Sequence, residues 1–163
     1  MADEEHVLLR CTLNGRPLER SVPVQRTLHE LLHDDLGLVG TRLACGAGVC
    51  GACVSLVNGE PRASCATFAF QVQGCDVTSV EGLARDGALH PLQQAFIDHG
   101  AFQCGYCTSG MLLLAKTLLD REPTPSRERI TEWLSSNVCR CTGYAQIIDA
   151  VQSAAARMTG AQS

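Results

Sequence analysis

A period of two governs the first half of the chain. From His6 to Leu13, Val7, Leu9, Cys11 and Leu13 fall on one face and Leu8, Arg10 and Thr12 on the other, the alternation of a half-buried strand. Asn14-Gly15 follows, a pair that accepts the positive φ values of a type I′ hairpin turn, and a returning strand is predicted from Leu18 to Val24. Thr27-Leu28-His29-Glu30 has capping-box form: the Thr27 hydroxyl and Glu30 carboxylate can satisfy the opening N–H groups of a helix striped by Leu28, Leu31 and Leu32 and stopped at Gly37. Beyond a stretch rich in glycine and cysteine, Cys53 to Val57 and Arg62 to Cys65 are predicted to pair around a second turn, Asn58-Gly59. Asp76 to Val80 reads as a last strand.

Through a connector from Val80 to Ala88 the period changes to 3.6. Pro91 opens a helix carrying Leu92, Ala95 and Phe96 that stops at Gly100. Thr108 is placed to cap a second, whose residues Met111, Leu112, Leu114, Ala115, Leu118 and Leu119 are dense enough to predict burial on most sides. Thr124-Pro125 reads as cap and first position of a third helix, with Ile130, Trp133 and Leu134 facing inward. A fourth runs from about Tyr144 to Met158, with Ile147, Ile148, Val151, Ala154, Ala155 and Met158 at helical spacing. Four helices with short connections suggest a bundle. The predicted class is α+β, with a sheet domain over residues 1–80 and a four-helix bundle domain over residues 81–163.

Composition narrows the function. A net charge of -4 over 163 residues with interspersed signs offers no basic stripe for nucleic acid. No apolar run reaches spanning length, and Met1-Ala2-Asp3-Glu4-Glu5 lacks the profile of a secretory signal. The expected compartment is the cytoplasm, and there ten cysteines point to metal before disulfides. Cys11 and Cys75 fall in strand-like segments and read as small buried hydrophobes. The other eight fall into two sets of four.

In the first set, Cys45, Cys50 and Cys53 come from one loop and Cys65 closes it. This is the plant-type ferredoxin spacing for one [2Fe-2S] cluster. Gly46, Gly48 and Gly51 let backbone N–H groups turn toward the sulfurs. Ala47, Val49 and Ala52 are expected to keep the loop small and dry. A structural zinc site is the alternative, though paired zinc-site cysteines usually arrive as two similar knuckles.

In the second set, Cys104 and Cys107 join Cys139 and Cys141. Cys107 precedes one predicted helix, and Cys139 and Cys141 precede another, so two helix N-termini converge on the site and favour an anionic group. Arg140, between the paired ligands, either offsets that charge or faces solvent. The spacing alone leaves zinc open.

Three strings carry a family resemblance: Gly40-Thr41-Arg42-Leu43-Ala44-Cys45-Gly46-Ala47-Gly48-Val49-Cys50-Gly51-Ala52-Cys53, Gln103-Cys104-Gly105-Tyr106-Cys107-Thr108-Ser109-Gly110, and Asn137-Val138-Cys139-Arg140-Cys141-Thr142-Gly143-Tyr144. Together they resemble the small iron–sulfur subunit of the xanthine oxidase family of molybdenum hydroxylases, over nearly the whole chain and in order. The resemblance implies a ferredoxin-like β-grasp domain followed by the helical domain, and two [2Fe-2S] clusters. It implies partners as well: a large subunit with the molybdenum-pterin cofactor and a medium subunit with FAD, in a heterotrimer that dimerises. By the same resemblance the cluster of Cys104, Cys107, Cys139 and Cys141 lies beside molybdenum, the cluster of Cys45, Cys50, Cys53 and Cys65 lies nearer the flavin, and Gln103 and Cys141 touch the pterin. Two residues depart from the family pattern. Ser109 replaces a proline at a helix start, and Val49 replaces a glycine or polar residue before the second cysteine.

The expected role is therefore an electron relay with no substrate site of its own. The competing functions are a small mobile ferredoxin, which needs only one cluster, a stand-alone two-cluster ferredoxin-like carrier, a zinc-bound interaction module, and the same relay run in reverse in a reductase. With both sets of four complete, His6, His29, His33, His90 and His99 are expected at the surface or at helix caps.

Overall fold

In the computed structural model, which describes residues 5–160, both Asn-Gly pairs turn the chain as read. Their φ values are 51° and 77° at Asn14 and Gly15, and 52° and 79° at Asn58 and Gly59. The first joins β1 (His6–Leu13) to β2 (Arg16–Pro23), and the second joins β3 (Val54–Val57) to β4 (Glu60–Ala63). With β5 (Asp76–Thr78) they form one mixed sheet in the order β2-β1-β5-β3-β4. Among the described residues its only parallel pairing is β1 with β5, where Thr12 faces Asp76 and Leu13 faces Val77. The strands end earlier than expected on their C-terminal sides: Ser64–Ala66 and Val80–Gly82 are 3₁₀ turns.

Between β2 and β3 a short helix α1 (Leu28–Glu30) continues as a π turn over Leu31–Asp35. Its capping box is present: the Glu30 N–H donates to Thr27 Oγ1 at 3.2 Å, and the Thr27 N–H donates to Glu30 Oε2 at 2.8 Å. Gly37, at φ 69°, follows the end of the turn. Leu28, Leu31 and Leu32 pack with Leu9, Val22, Ala69, Val72 and Val77 into the first core.

Four longer helices follow: α2 (Pro91–Asp98), α3 (Thr108–Arg121), α4 (Arg127–Leu134) and α5 (Ala145–Met158). They share a second core that includes Phe96, Met111, Leu118, Ile130, Leu134, Ile147 and Val151. Val54 and Leu56 of β3 and Leu83 of the connector belong to this core as well. Successive residues of a strand point to opposite faces, so β3 serves the helices with Val54 and Leu56 while Val57 packs on the first core.

Two predicted caps move. Cys107 already has helical backbone angles, φ -84° and ψ -11°, so it is the N-cap of α3, and Thr108 is inside the helix with its hydroxyl oxygen buried and unpartnered. At α4 the cap is Ser126, which accepts the Arg129 N–H at 3.2 Å. Ser126 places Glu128 in the first turn, where the helix dipole favours a carboxylate, and leaves Thr124-Pro125 outside the helix. Two inward assignments change too. Met158 is 42% exposed at the end of α5. Trp133 is half-buried, its indole N–H donating to the Leu114 carbonyl at 2.9 Å and its ring faced by the guanidinium groups of Arg121 and Arg129.

Among the histidines, His90 caps α2, accepting the Leu92 N–H on Nδ1 at 3.2 Å. His6 and His99 are exposed, and His33 pairs with Asp34 at 2.8 Å. His29 departs from expectation: it is 5% exposed, and neither ring nitrogen has a hydrogen-bond partner. It lies in α1 beside Leu28, which is buried as well, and its ring stacks on His33 at 5.2 Å.

Candidate metal centres

The loop between α1 and β3 delivers Cys45, Cys50 and Cys53, and the turn after β4 delivers Cys65. Cys45 is exposed, Cys50 and Cys65 are half-buried, and Cys53 is buried. The N–H groups of Ala47 and Val49 donate to Cys45 Sγ at 3.3 and 3.4 Å. With the Cys50 N–H they lower the Cys45 pKa to about 6, since hydrogen bonds to a thiolate favour the charged form. Burial, then the neighbouring Cys53, pushes Cys65 up to about 11. Val49 therefore keeps its part in the loop, because its backbone N–H does the donating while its side chain is 72% exposed. The expectation of a dry loop is corrected here: Ala47 and Val49 face solvent, and only Ala52, 3% exposed, lies inside.

The second set gathers where α3 and α5 begin. Cys141 and Cys104 sulfurs lie 3.6 Å apart, and Cys107 lies against Cys139. Burial, then Cys139, drives the Cys107 pKa up to about 12. Burial also works against the Cys139 thiolate, but the hydroxyl and N–H of Thr142 and the N–H of Cys141 outweigh it and lower that pKa; Thr142 Oγ1 is 3.1 Å from Cys139 Sγ. Tyr144, at φ 71°, holds the turn before α5. Its hydroxyl accepts the Cys139 N–H and donates to the Asn137 carbonyl, both at 2.8 Å. Gln103, Arg140, Cys104 and Cys141 are exposed.

Among the described residues no three His, Cys, Asp or Glu side chains converge as the ligands of one ion would. The thiols sit two by two: Cys45 with Cys50, Cys53 with Cys65, Cys104 with Cys141, Cys107 with Cys139. A [2Fe-2S] group takes two thiolates on each of its irons, so both donor sets fit it. The buried hydroxyl oxygens of Thr108 and Ser109 lack partners at the start of α3, directly after Cys107. Such orphans suit a site whose acceptors are the sulfurs of a bound group.

Sequence reasoning missed the residues that join the two sites. The Val138 N–H donates to the Cys50 carbonyl at 2.8 Å. Asn137, fully buried, donates from Nδ2 to the Gly51 carbonyl at 3.3 Å, and the Tyr106 hydroxyl donates to the Leu43 carbonyl at 2.6 Å. Only glycine fits at two points of this contact. A Cβ on Gly51 would lie 2.7 Å from Asn137 Cγ, and one on Gly110 would lie 2.1 Å from the Gly51 carbonyl oxygen. Asn137 and Tyr106 stand beside the cysteines in sequence, but their partners are far along the chain and carry no local signal.

Comparison with known proteins agrees with this geometry. The 2Fe-2S iron-sulfur cluster binding domain family matches residues 11–82, and the [2Fe-2S] binding domain family matches residues 79–152. The chain is 45% identical to the nicotine 6-hydroxylase small subunit of Paenarthrobacter nicotinovorans, over 92% of this chain and 90% of that one. It is 42% identical to the nicotinate dehydrogenase small FeS subunit of Eubacterium barkeri, over 93% and 96%. Among solved structures, quinoline 2-oxidoreductase from Pseudomonas putida 86 contains a chain that superposes with a TM-score of 0.90 at 42% identity, covering 95% of this chain and 98% of that one. With two cluster-binding families matched in order and such relatives along nine-tenths of its length, the chain belongs to the [2Fe-2S] electron-transfer subunits of the xanthine oxidase family of molybdenum hydroxylases.

Proposed function

We propose that this chain relays electrons from the molybdenum-pterin cofactor of a large partner subunit to FAD in a medium partner subunit. Cys104, Cys107, Cys139 and Cys141 would hold the cluster nearer molybdenum, and Cys45, Cys50, Cys53 and Cys65 the cluster nearer the flavin. When bound, each [2Fe-2S] group supplies a site that takes up and gives away one electron at a time. The chain's own residues set the charge and the connection of these sites.

The observation that carries this reading is the hydrogen bond from the Val138 N–H to the Cys50 carbonyl, 2.8 Å long. Cys50 is itself a member of the first set and Val138 is the immediate neighbour of Cys139, so one hydrogen bond and a few covalent bonds connect the two donor sets. A mobile one-site carrier has no use for such a connection, nor does a zinc module. Exposure of Gln103 and Cys141 supports their contact with the pterin of the large subunit, because both are free to meet a partner's surface. The exposed Cys45 loop, with Leu43 47% and Val49 72% exposed, suits contact with the medium subunit.

In this reading residues 1–80 form a ferredoxin-like β-grasp domain and residues 81–163 a four-helix bundle domain, in a heterotrimer that dimerises in the cytoplasm. No helix among the described residues is long and apolar enough to cross a membrane. Anaerobic purification with native partners, followed by iron and sulfide analysis, tests the proposal. About four irons and four sulfides per chain are expected, together with two co-purifying subunits. Zinc without sulfide, or a chain that elutes alone, fully loaded and competent as a carrier, would overturn it.

A further inference from the structure

Cys11 and Cys75 belong to neither set of four. The fold brings them together. β1 and β5 run parallel, with Thr12 facing Asp76 and Leu13 facing Val77, which sets Cys11 level with Cys75 one step back. The Thr12 N–H donates to the Cys75 carbonyl at 2.9 Å and the Gly74 N–H to the Arg10 carbonyl at 2.7 Å, so the backbones are tied on both sides of the pair. Both side chains pack against the same core as Leu9 and Val77, on the inner face of the sheet. Neighbouring strands stand roughly 4.8 Å apart, inside the ~4.4–6.8 Å Cα separation that a disulfide spans. Both residues are half-buried. The thiol of Cys75 makes a long contact to the Gln73 carbonyl, 3.7 Å, which leaves it free to turn.

We propose that Cys11 and Cys75 are a reversible thiol pair that closes to an intrachain disulfide by exchange with a low-molecular-weight disulfide of the glutathione type. One protein thiolate attacks the oxidant, whose S–S bond breaks to release one glutathione thiol and leave a mixed disulfide. The second protein thiolate attacks the protein sulfur of that mixed disulfide and expels the second glutathione. Two protein thiols are oxidised by two electrons, one glutathione disulfide is reduced to two thiols, and those thiols carry away the two protons. Burial, reinforced by Cys75 and Asp76, raises the Cys11 pKa. Cys11 is therefore held further toward the thiol than a free cysteine, which slows its attack on a disulfide. The bond would tie the first strand of the sheet to its last. All four cysteines of the first set lie between the two in sequence, so the closed loop encloses the whole of that loop and hairpin.

The test uses the cluster-loaded complex. It is incubated with glutathione disulfide, its remaining thiols are blocked with N-ethylmaleimide, and it is digested without reductant for mass spectrometry. The expected result is a linked peptide pair containing Cys11 and Cys75, lighter by two hydrogens and separated by dithiothreitol, with the visible absorbance of the clusters retained. In Cys75→Ala the link is lost, and Cys11 is recovered either blocked or as its glutathione adduct. Cys11→Ser gives the mirror result at Cys75. The proposal is overturned if both cysteines are recovered blocked, if each carries its own glutathione, or if the link forms only as the cluster absorbance disappears.

Discussion

Gly110→Ala puts the contact between the two cysteine loops to the sharpest test. The added Cβ would stand 2.1 Å from the Gly51 carbonyl oxygen, 2.9 Å from Asn137 Nδ2 and 3.2 Å from the Gly51 carbonyl carbon. Two of these neighbours are backbone, which cannot swing aside as a side-chain tip can. To reach the ~3.3 Å at which carbon and carbonyl oxygen meet, the loop must move by about 1 Å. That shift stretches the Asn137 to Gly51 hydrogen bond, already 3.3 Å, and loads the Val138 to Cys50 bond beside it. Overpacking of this kind costs about 1–3 kcal/mol, and a weakened buried hydrogen bond adds about 1 kcal/mol. The sum, about 2–4 kcal/mol, corresponds to a fall in melting temperature of about 4–16 °C for a chain of this size. Gly110 has no positive φ, so the effect is steric. Gly100→Ala is the complementary control, with φ 56° and no neighbour within 4 Å; it should cost about 1–2 kcal/mol through backbone strain alone. Calorimetry of the cluster-loaded chain measures both, and electron paramagnetic resonance of the reduced protein reports whether the two clusters still influence each other. A Gly110→Ala protein that melts within about 2 °C of the parent, with unchanged cluster spectra, would show that the two loops are not locked together at this point.

Other substitutions probe single features. Tyr144→Phe removes the hydroxyl that serves the Cys139 N–H and the Asn137 carbonyl; it should cost about 1–3 kcal/mol in denaturant unfolding and alter the resonance spectrum of the helical-domain cluster, and an unaltered spectrum would count against its role at Cys139. Cys141→Ser should disturb that same cluster while the ferredoxin-type signal persists, and loss of both signals would mean that the sites do not assemble separately. Burial, then His33, lowers the His29 pKa, so the unfolded chain takes up the proton first as pH falls. Stability is full above the unfolded value of about 6.5 and declines as pH drops from there through the depressed folded value. His29→Phe should flatten that decline in unfolding curves taken at about pH 7.5 and about pH 5.5, either side of the unfolded value; an equal decline in both proteins would move the effect to another group.

Features whose cause is local were legible in the sequence. Asn14-Gly15, Asn58-Gly59 and the Thr27 to Glu30 box each contain both partners of the interaction within four residues, so the chain can adopt only a few conformations there. The helix caps are less legible because serine and threonine hydroxyls accept an N–H equally well: Ser126 competes with Thr124, and the helical backbone of Cys107 displaces Thr108. The cysteine sets were legible by spacing, but their surroundings were not. Nothing around Val49 announces that its side chain turns outward while its N–H turns to Cys45. Asn137 reads as one polar residue among several, although its position decides why Gly51 and Gly110 must lack a side chain. Cys11 and Cys75 each read as residues of the sheet's packed face, and only the parallel pairing of β1 with β5 makes them neighbours.

The double duty of β3 bears on how such chains can be recombined. A chimera spliced at the connector would join a helical half from one parent to a sheet from another, and Val54 and Leu56 would then be a foreign floor under helices selected against different volumes. Parents that match in size at positions 54, 56 and 83 should tolerate the exchange. Mismatched parents would carry a void or a clash in the helical core even though every cysteine is in place.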